Sequence, residues 1–84
     1  MPDGDARITV YGTPWCSDCH RSRRFLDRNQ IAYAWVDVEK DTAAMEYIIK
    51  ANQGMRRVPT IVFPDGSILV EPSDVELRTK LGLR

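Results

Sequence analysis

The chain of 84 residues has no excess of charge: twelve Lys and Arg balance twelve Asp and Glu. Proteins that bind nucleic acid through its phosphates are normally clearly basic, since their affinity grows with the counterions released. The balance therefore argues against a nucleic-acid partner. Long apolar runs are also missing, and none approaches the ~20 residues that span a bilayer. The N-terminus has neither a basic stretch nor an apolar one behind it, so no signal peptide is legible and a cytoplasmic setting is expected. Cysteine is scarce, with only Cys16 and Cys19. Disulfide-stapled secreted domains of this size carry about four or more. A bridge between residues three apart would cross-link almost nothing, so stapling is not their purpose. Repeats and low-complexity tracts are absent. A chain that is 43% hydrophobic and 29% charged has ordinary globular composition. One domain over 1–84 is expected, with 1–6 read as a flexible N-terminus and the whole as a monomer.

The residues present predict seven elements. Ile8-Thr9-Val10-Tyr11 is β-branched and aromatic and reads as a strand, broken by Gly12-Thr13-Pro14. Residues 17–29 lack Gly and Pro and predict a helix whose thin apolar face is Cys19, Ser22, Phe25 and Leu26. Ile31 to Val38 predicts a second strand, small on one face (Ala32, Ala34, Val36) and aromatic on the other (Tyr33, Trp35). Asp41 or Thr42 can cap a second helix with Met45, Ile48 and Ile49 on its stripe, ended by Gly54. Thr60–Phe63 and Ser67–Val70 flank Pro64-Asp65-Gly66, the signature of a type I turn with a glycine bulge, and predict an antiparallel hairpin. Ser73-Asp74-Val75-Glu76 matches a capping box for a last helix that runs to Gly82. The order β-α-β-α-β-β-α predicts an α/β fold, a four-stranded mixed sheet with helices on both faces.

Cys16 and Cys19 stand where the first strand hands over to the first helix. In open α/β sheets that edge is where sites form. A helix N-terminus offers unpaired N–H groups and the positive end of the macrodipole, which favour a thiolate, and the thiolate is the nucleophile. Cys19 lies on the same face one turn inside the helix, more covered. The spacing thus predicts that Cys16 attacks a disulfide and Cys19 resolves the mixed disulfide. Other readings use the same residues. Cys16-Ser17-Asp18-Cys19-His20 matches C-x-x-C-H, the attachment pattern of c-type haem, with Met45 or Met55 as a further ligand; four credible strands and the absence of an export signal speak against it. Zinc would find three ligands in Cys16, Cys19 and His20 where structural sites take four. A cluster shared by two copies is a related case. The pair can also act as a redox-switched binding module without turnover. No bound cofactor is needed for the redox reading.

The segment Tyr11 to Cys19, then Val58-Pro59-Thr60, then Pro64-Asp65-Gly66, resembles the glutaredoxin family over nearly the whole chain. Trp15 before the first cysteine and Phe63-Pro64-Asp65-Gly66-Ser67 look most like its mycoredoxin and short bacterial branch. The resemblance implies a thioredoxin fold and a thiol–disulfide oxidoreductase acting on protein disulfides or mixed disulfides. It implies Cys16 as nucleophile, Cys19 as resolving thiol, Pro59 as a cis-proline, and Val58 as a backbone partner for a thiol or peptide. The chain has Thr13 where glutathione-using members usually have lysine. It has Glu71-Pro72-Ser73-Asp74 where they have Gly-Gly-Asp, so Asp74 alone matches. Arg56 or Arg57 can supply the positive charge instead. The electron donor stays open among glutathione, mycothiol, another small thiol and a flavoprotein reductase. Trp15 is either a packing residue or an exposed lip against the partner. Arg21, Arg23 and Arg24 are either a solvated face or a patch for an acidic partner. His20 is either a solvated helix residue or an aid to the Cys16 thiolate.

Overall fold

Alternation at the start of the chain builds the central strand. Ile8 and Val10 are buried on one face and Tyr11 turns to the other. In the computed structural model, which describes residues 7–83, this is β1 (Ile8–Gly12). The stretch 1–6, expected to be flexible, lies outside the described residues. The chain continues through α1 (Ser17–Arg28), β2 (Tyr33–Asp37), α2 (Thr42–Ala51), β3 (Thr60–Val62), β4 (Ile68–Val70) and α3 (Asp74–Leu81). The sheet order is β2-β1-β3-β4, parallel between β1 and β2 and antiparallel elsewhere. This is the expected mixed sheet and element order.

Period-two patterning divides the core into two layers. One face gathers Ile8, Val10, Ile61 and Phe63 against Phe25, Leu26 and Leu77, so α1 and α3 share it, with Tyr33 and Trp35 packed alongside. The opposite face gathers Val38, Ala44 and Ile48 with Tyr11, Val36, Met45 and Val58, and belongs to α2. The aromatic and small faces expected of the second strand are thus the two faces of the sheet. All four residues of the thin α1 face, Cys19, Ser22, Phe25 and Leu26, are buried.

Local signals set most boundaries. Asp41 caps α2 by accepting from the Ala44 N–H at 3.0 Å. Ser73 and Glu76 close the expected capping box reciprocally, and Gly82 ends α3 in the left-handed region at φ 70°. In the hairpin, the Gly66 N–H reaches Phe63 O at 2.8 Å and Gly66 has φ 88°, as the turn signature requires. Three expectations need correction. The second strand starts at Tyr33, not Ile31, because the Ile31 N–H is spent on Leu26 O (2.9 Å) in closing α1. Helix α2 ends at Ala51 with Asn52 as its cap; Gly54 (φ 91°) instead closes the following turn onto Ile49 O. Gly12 does not break the first strand but is its last residue, in register with Asp37.

Candidate functional site

The C-terminal end of β1 delivers the chain into α1 through Thr13-Pro14-Trp15-Cys16. Cys16 is the N-cap of α1, in extended conformation, and its sulfur accepts the Cys19 N–H at 3.1 Å. Oxygen side chains usually do this work at N-caps; here a sulfur does. The loop is closed by the Cys16 N–H on Thr13 O at 3.3 Å and by the His20 N–H on Cys16 O at 3.1 Å. Both cysteines are free, Cys16 9% exposed and Cys19 fully buried.

Their environments differ. Burial pushes the Cys19 thiol up from its ordinary 9.0 to about 12; a hydrogen bond to Cys16 adds to this, a backbone hydrogen bond from Thr13 opposes it, and the charges of Cys16 and Asp18 add a little more. Cys19 therefore keeps its proton at neutral pH. The Cys16 thiol lies 3.9 Å from Val58 O, its acceptor across the site. The Val58–Pro59 bond is cis, and it brings the loop before β3 against the cysteines. Asp18, beside both cysteines in sequence, is paired with Arg21 at 3.1 Å, which offsets part of its negative charge.

A cleft of about 280 Å³ opens beside the pair, lined by Thr13 and Trp15 from the loop, by Val38, Met45 and Ile48 from the α2 side, and by Arg56 and Val58. Trp15 is 69% exposed, and its indole N–H donates to Glu39 Oε2 at 3.1 Å. Trp15 is thus exposed and not a packed core residue. Arg56 lines the cleft, and among the described residues no ion pair holds its side chain. Arg57 turns away to Glu71 (3.5 Å) and the Met55 sulfur (3.4 Å). Asp74 lies 3.9 Å from both Arg21 and Arg28, among the arginines of α1. Arg23 stacks over the Trp35 ring at 4.1 Å. The basic run on α1 is therefore largely engaged with the protein's own groups. His20 directs its Nε2 at the Pro14 carbonyl, at 2.5 Å. Among the described residues no group of three His, Cys, Asp or Glu side chains is gathered to hold a metal ion. Among them, too, no helix is long and apolar enough to cross a membrane.

A family model described as Glutaredoxin matches residues 8–68. The chain belongs to the glutaredoxin family. A protein of Mycobacterium tuberculosis, provisionally named a glutaredoxin, is 46% identical over 76 residues, 90% of each chain. Mycoredoxin 1 of Corynebacterium glutamicum is 33% identical over 76 residues, 90% of this chain and 94% of its own. Among solved structures, a mutant of a thioredoxin-like protein matches with a TM-score of 0.82 and 31% identity, covering 93% of this chain and 97% of that one. The fold is thus thioredoxin-like, and the chain is a glutaredoxin-like redox protein.

Two contacts around this glutaredoxin site escaped the sequence. Gly12 reads as a strand breaker, yet a Cβ there would stand 2.6 Å from the Cys19 sulfur and 2.9 Å from the Trp35 ring. A glycine inside a strand pattern is itself the available signal, since it marks close approach. Glu39 reads as one more surface carboxylate; nothing local signals that it meets Trp15.

Proposed function

We propose that the protein is a small thiol–disulfide oxidoreductase that reduces protein disulfides, or mixed disulfides with a low-molecular-weight thiol, through Cys16 and Cys19. The observation that carries this reading is the Cys16 sulfur at the N-cap of α1, receiving the Cys19 N–H, with Cys19 buried behind it. The Cys16 sulfur, as thiolate, attacks one sulfur of the substrate disulfide, and the other sulfur leaves as a thiolate that takes up a proton. A mixed disulfide between Cys16 and the substrate results. Cys19 then loses its proton and attacks the Cys16 sulfur, the substrate leaves reduced, and a Cys16–Cys19 disulfide remains. Two electrons have passed to the substrate. They are restored by two equivalents of a small thiol such as glutathione or mycothiol, or by a flavoprotein reductase.

Cys16 is covered on the protein side and Cys19 entirely, which supports attack by Cys16 first. Trp15, Arg56 and Val58 border the approach to Cys16, and substrate or thiol contacts are assigned to them, with Pro59 setting the loop. Arg57 and Asp74 take part only if they leave their present partners. A cytoplasmic setting goes with this reading, because the dithiol has to return to its reduced form in a reducing pool. The protein works as a monomer and requires no resident cofactor.

The test is turnover with glutathione, mycothiol and a thioredoxin reductase compared as donors on a mixed-disulfide substrate. Cys16→Ser keeps an N-cap oxygen and so preserves the helix start; it is expected to lose essentially all turnover. Cys19→Ser is expected to accumulate the mixed disulfide on Cys16. Retained activity in Cys16→Ser, or redox-dependent partner binding by the wild type without turnover, overturns the proposal.

A further inference from the structure

The cleft beside Cys16 does not end at Trp15. A second cleft of about 560 Å³ adjoins it, and the two share Val38, Met45 and Arg56; Glu39 and Thr42 line the second one. The indole of Trp15 lines the first cleft, more than two-thirds exposed, in contact with solvent rather than packed in the core. An indole so exposed would be expected to sample several rotamers. Here its only polar atom, Nε1, is held by Glu39 Oε2 at 3.1 Å.

The main chain at both ends of this tether is held. Glu39 sits in a turn after β2 whose backbone is locked. Its own N–H donates to Asp37 Oδ1 at 2.9 Å, the Lys40 N–H donates to Asp37 O at 3.1 Å, and the Val38 N–H reaches Gly12 O at 3.0 Å. At the other end, His20 engages the Pro14 carbonyl and the Cys16 N–H is bound to Thr13 O, so the main chain on both sides of Trp15 is held. The rotation of the Trp15 side chain is what remains, and the hydrogen bond to Glu39 restrains it.

We propose that Glu39 is a specificity-determining positioning residue: by accepting the Trp15 indole N–H, it holds that ring as a preset wall against which a disulfide-bearing peptide seats beside Cys16. This rests on the oxidoreductase reading. A preset wall removes the ordering a substrate would otherwise impose on the ring as it binds. The gain appears in peptide binding and not in the chemistry of the sulfurs. A small disulfide that does not reach the wall is indifferent to it.

The test compares wild type, Glu39→Ala and Glu39→Gln. Glu39→Gln keeps an acceptor oxygen and removes the charge. The substrates are a peptide mixed disulfide with an aromatic neighbour and a small symmetrical disulfide without a peptide. With Glu39→Ala, KM for the peptide should rise roughly threefold to tenfold, the range a single exposed hydrogen bond spans, with kcat and the small-disulfide turnover unchanged. Glu39→Gln should restore KM. In ¹⁵N NMR, the Trp15 indole N–H, assigned by its loss in Trp15→Phe, should lose its heteronuclear NOE in Glu39→Ala and keep it in Glu39→Gln. An unchanged peptide KM in Glu39→Ala, or a Gln variant that behaves like Ala, overturns the proposal. A wild type that reduces neither substrate overturns the oxidoreductase reading and the specificity role with it; the indole NOE then still decides whether Glu39 positions the ring.

Discussion

Replacing Gly12 by alanine adds one methyl group where the structure leaves no volume. The new Cβ would lie 2.6 Å from the Cys19 sulfur and 2.9 and 3.0 Å from two atoms of the Trp35 ring. Carbon contacts settle at about 3.5–4.0 Å, so the overlap is roughly an ångström on two sides. Neither neighbour is free to yield. Cys19 is fully buried on α1, and the Arg23 guanidinium stacks on the Trp35 ring at 4.1 Å. Overpacking of this kind destabilises by about 1–3 kcal/mol. For a domain this small each kcal/mol lowers Tm by about 4–8 °C. Urea unfolding of Gly12→Ala measures the loss. A double-mutant cycle with Cys19→Ala locates it. Cys19→Ala alone opens a small void, and in the double variant the alanine methyl enters the space the sulfur vacated. The cost of Gly12→Ala should therefore fall by half or more in the Cys19→Ala background. An equal cost in both backgrounds, or a neutral Gly12→Ala, would refute the argument that the glycine exists to admit the buried thiol.

The raised pKa of Cys19 has a consequence for stability. The folded thiol holds its proton to about 12, whereas an unshifted one loses it near 9.0. Above pH 9 the unfolded chain sheds the proton first, so the stability is full below about pH 9 and declines as pH rises toward 12. Urea midpoints between pH 8 and 11 should show that slope, and Cys19→Ala should flatten it. Ser73→Ala removes the side-chain oxygen that accepts the Glu76 N–H at 3.1 Å and breaks the capping box of α3. It should cost about 0.5–2 kcal/mol in chemical denaturation. A loss below that range would mean the α3 start is held by the remaining half of the box, the Ser73 N–H on Glu76 Oε1, and by the burial of Leu77.

The features legible in the sequence were those that short stretches encode. Pro64-Asp65-Gly66 carries its own turn geometry, Ser73 and Glu76 satisfy each other's backbone, and the alternation of Tyr33 and Trp35 with Ala34 and Val36 assigns each to one face of the sheet. The position of Cys16 at a helix start follows from the same kind of local reading. What stayed hidden depends on residues far apart in the chain. Arg21 and Arg23 read as a basic face, but Asp18, Asp74 and the Trp35 ring take them up. Asp74 reads as a candidate ligand contact, and its neighbours at 3.9 Å, Arg21 and Arg28, come from α1. Gly12 reads as a punctuation mark because its reason, the sulfur of Cys19 and the ring of Trp35, comes from two other elements. Ile31 looks like strand, and the hydrogen bond that removes it from β2 belongs to the end of α1.

The sulfur that caps α1 ties the redox couple to the folding equilibrium. The folded and unfolded chains, each reduced and oxidised, form a closed thermodynamic cycle. The difference in folding stability between the dithiol and the disulfide therefore equals the difference in reduction free energy between the folded and the unfolded chain. The Cys19 N–H that ends on Cys16 Sγ is a fold contact and also one of the groups that sees the sulfur change its bonding. Each 1.4 kcal/mol by which the helix start favours one oxidation state moves the potential by about 30 mV. On the oxidoreductase reading the first turn of α1 is a tuning element for electron flow, and substitutions at Ser17 or Asp18 within it are expected to shift the potential of the Cys16–Cys19 pair.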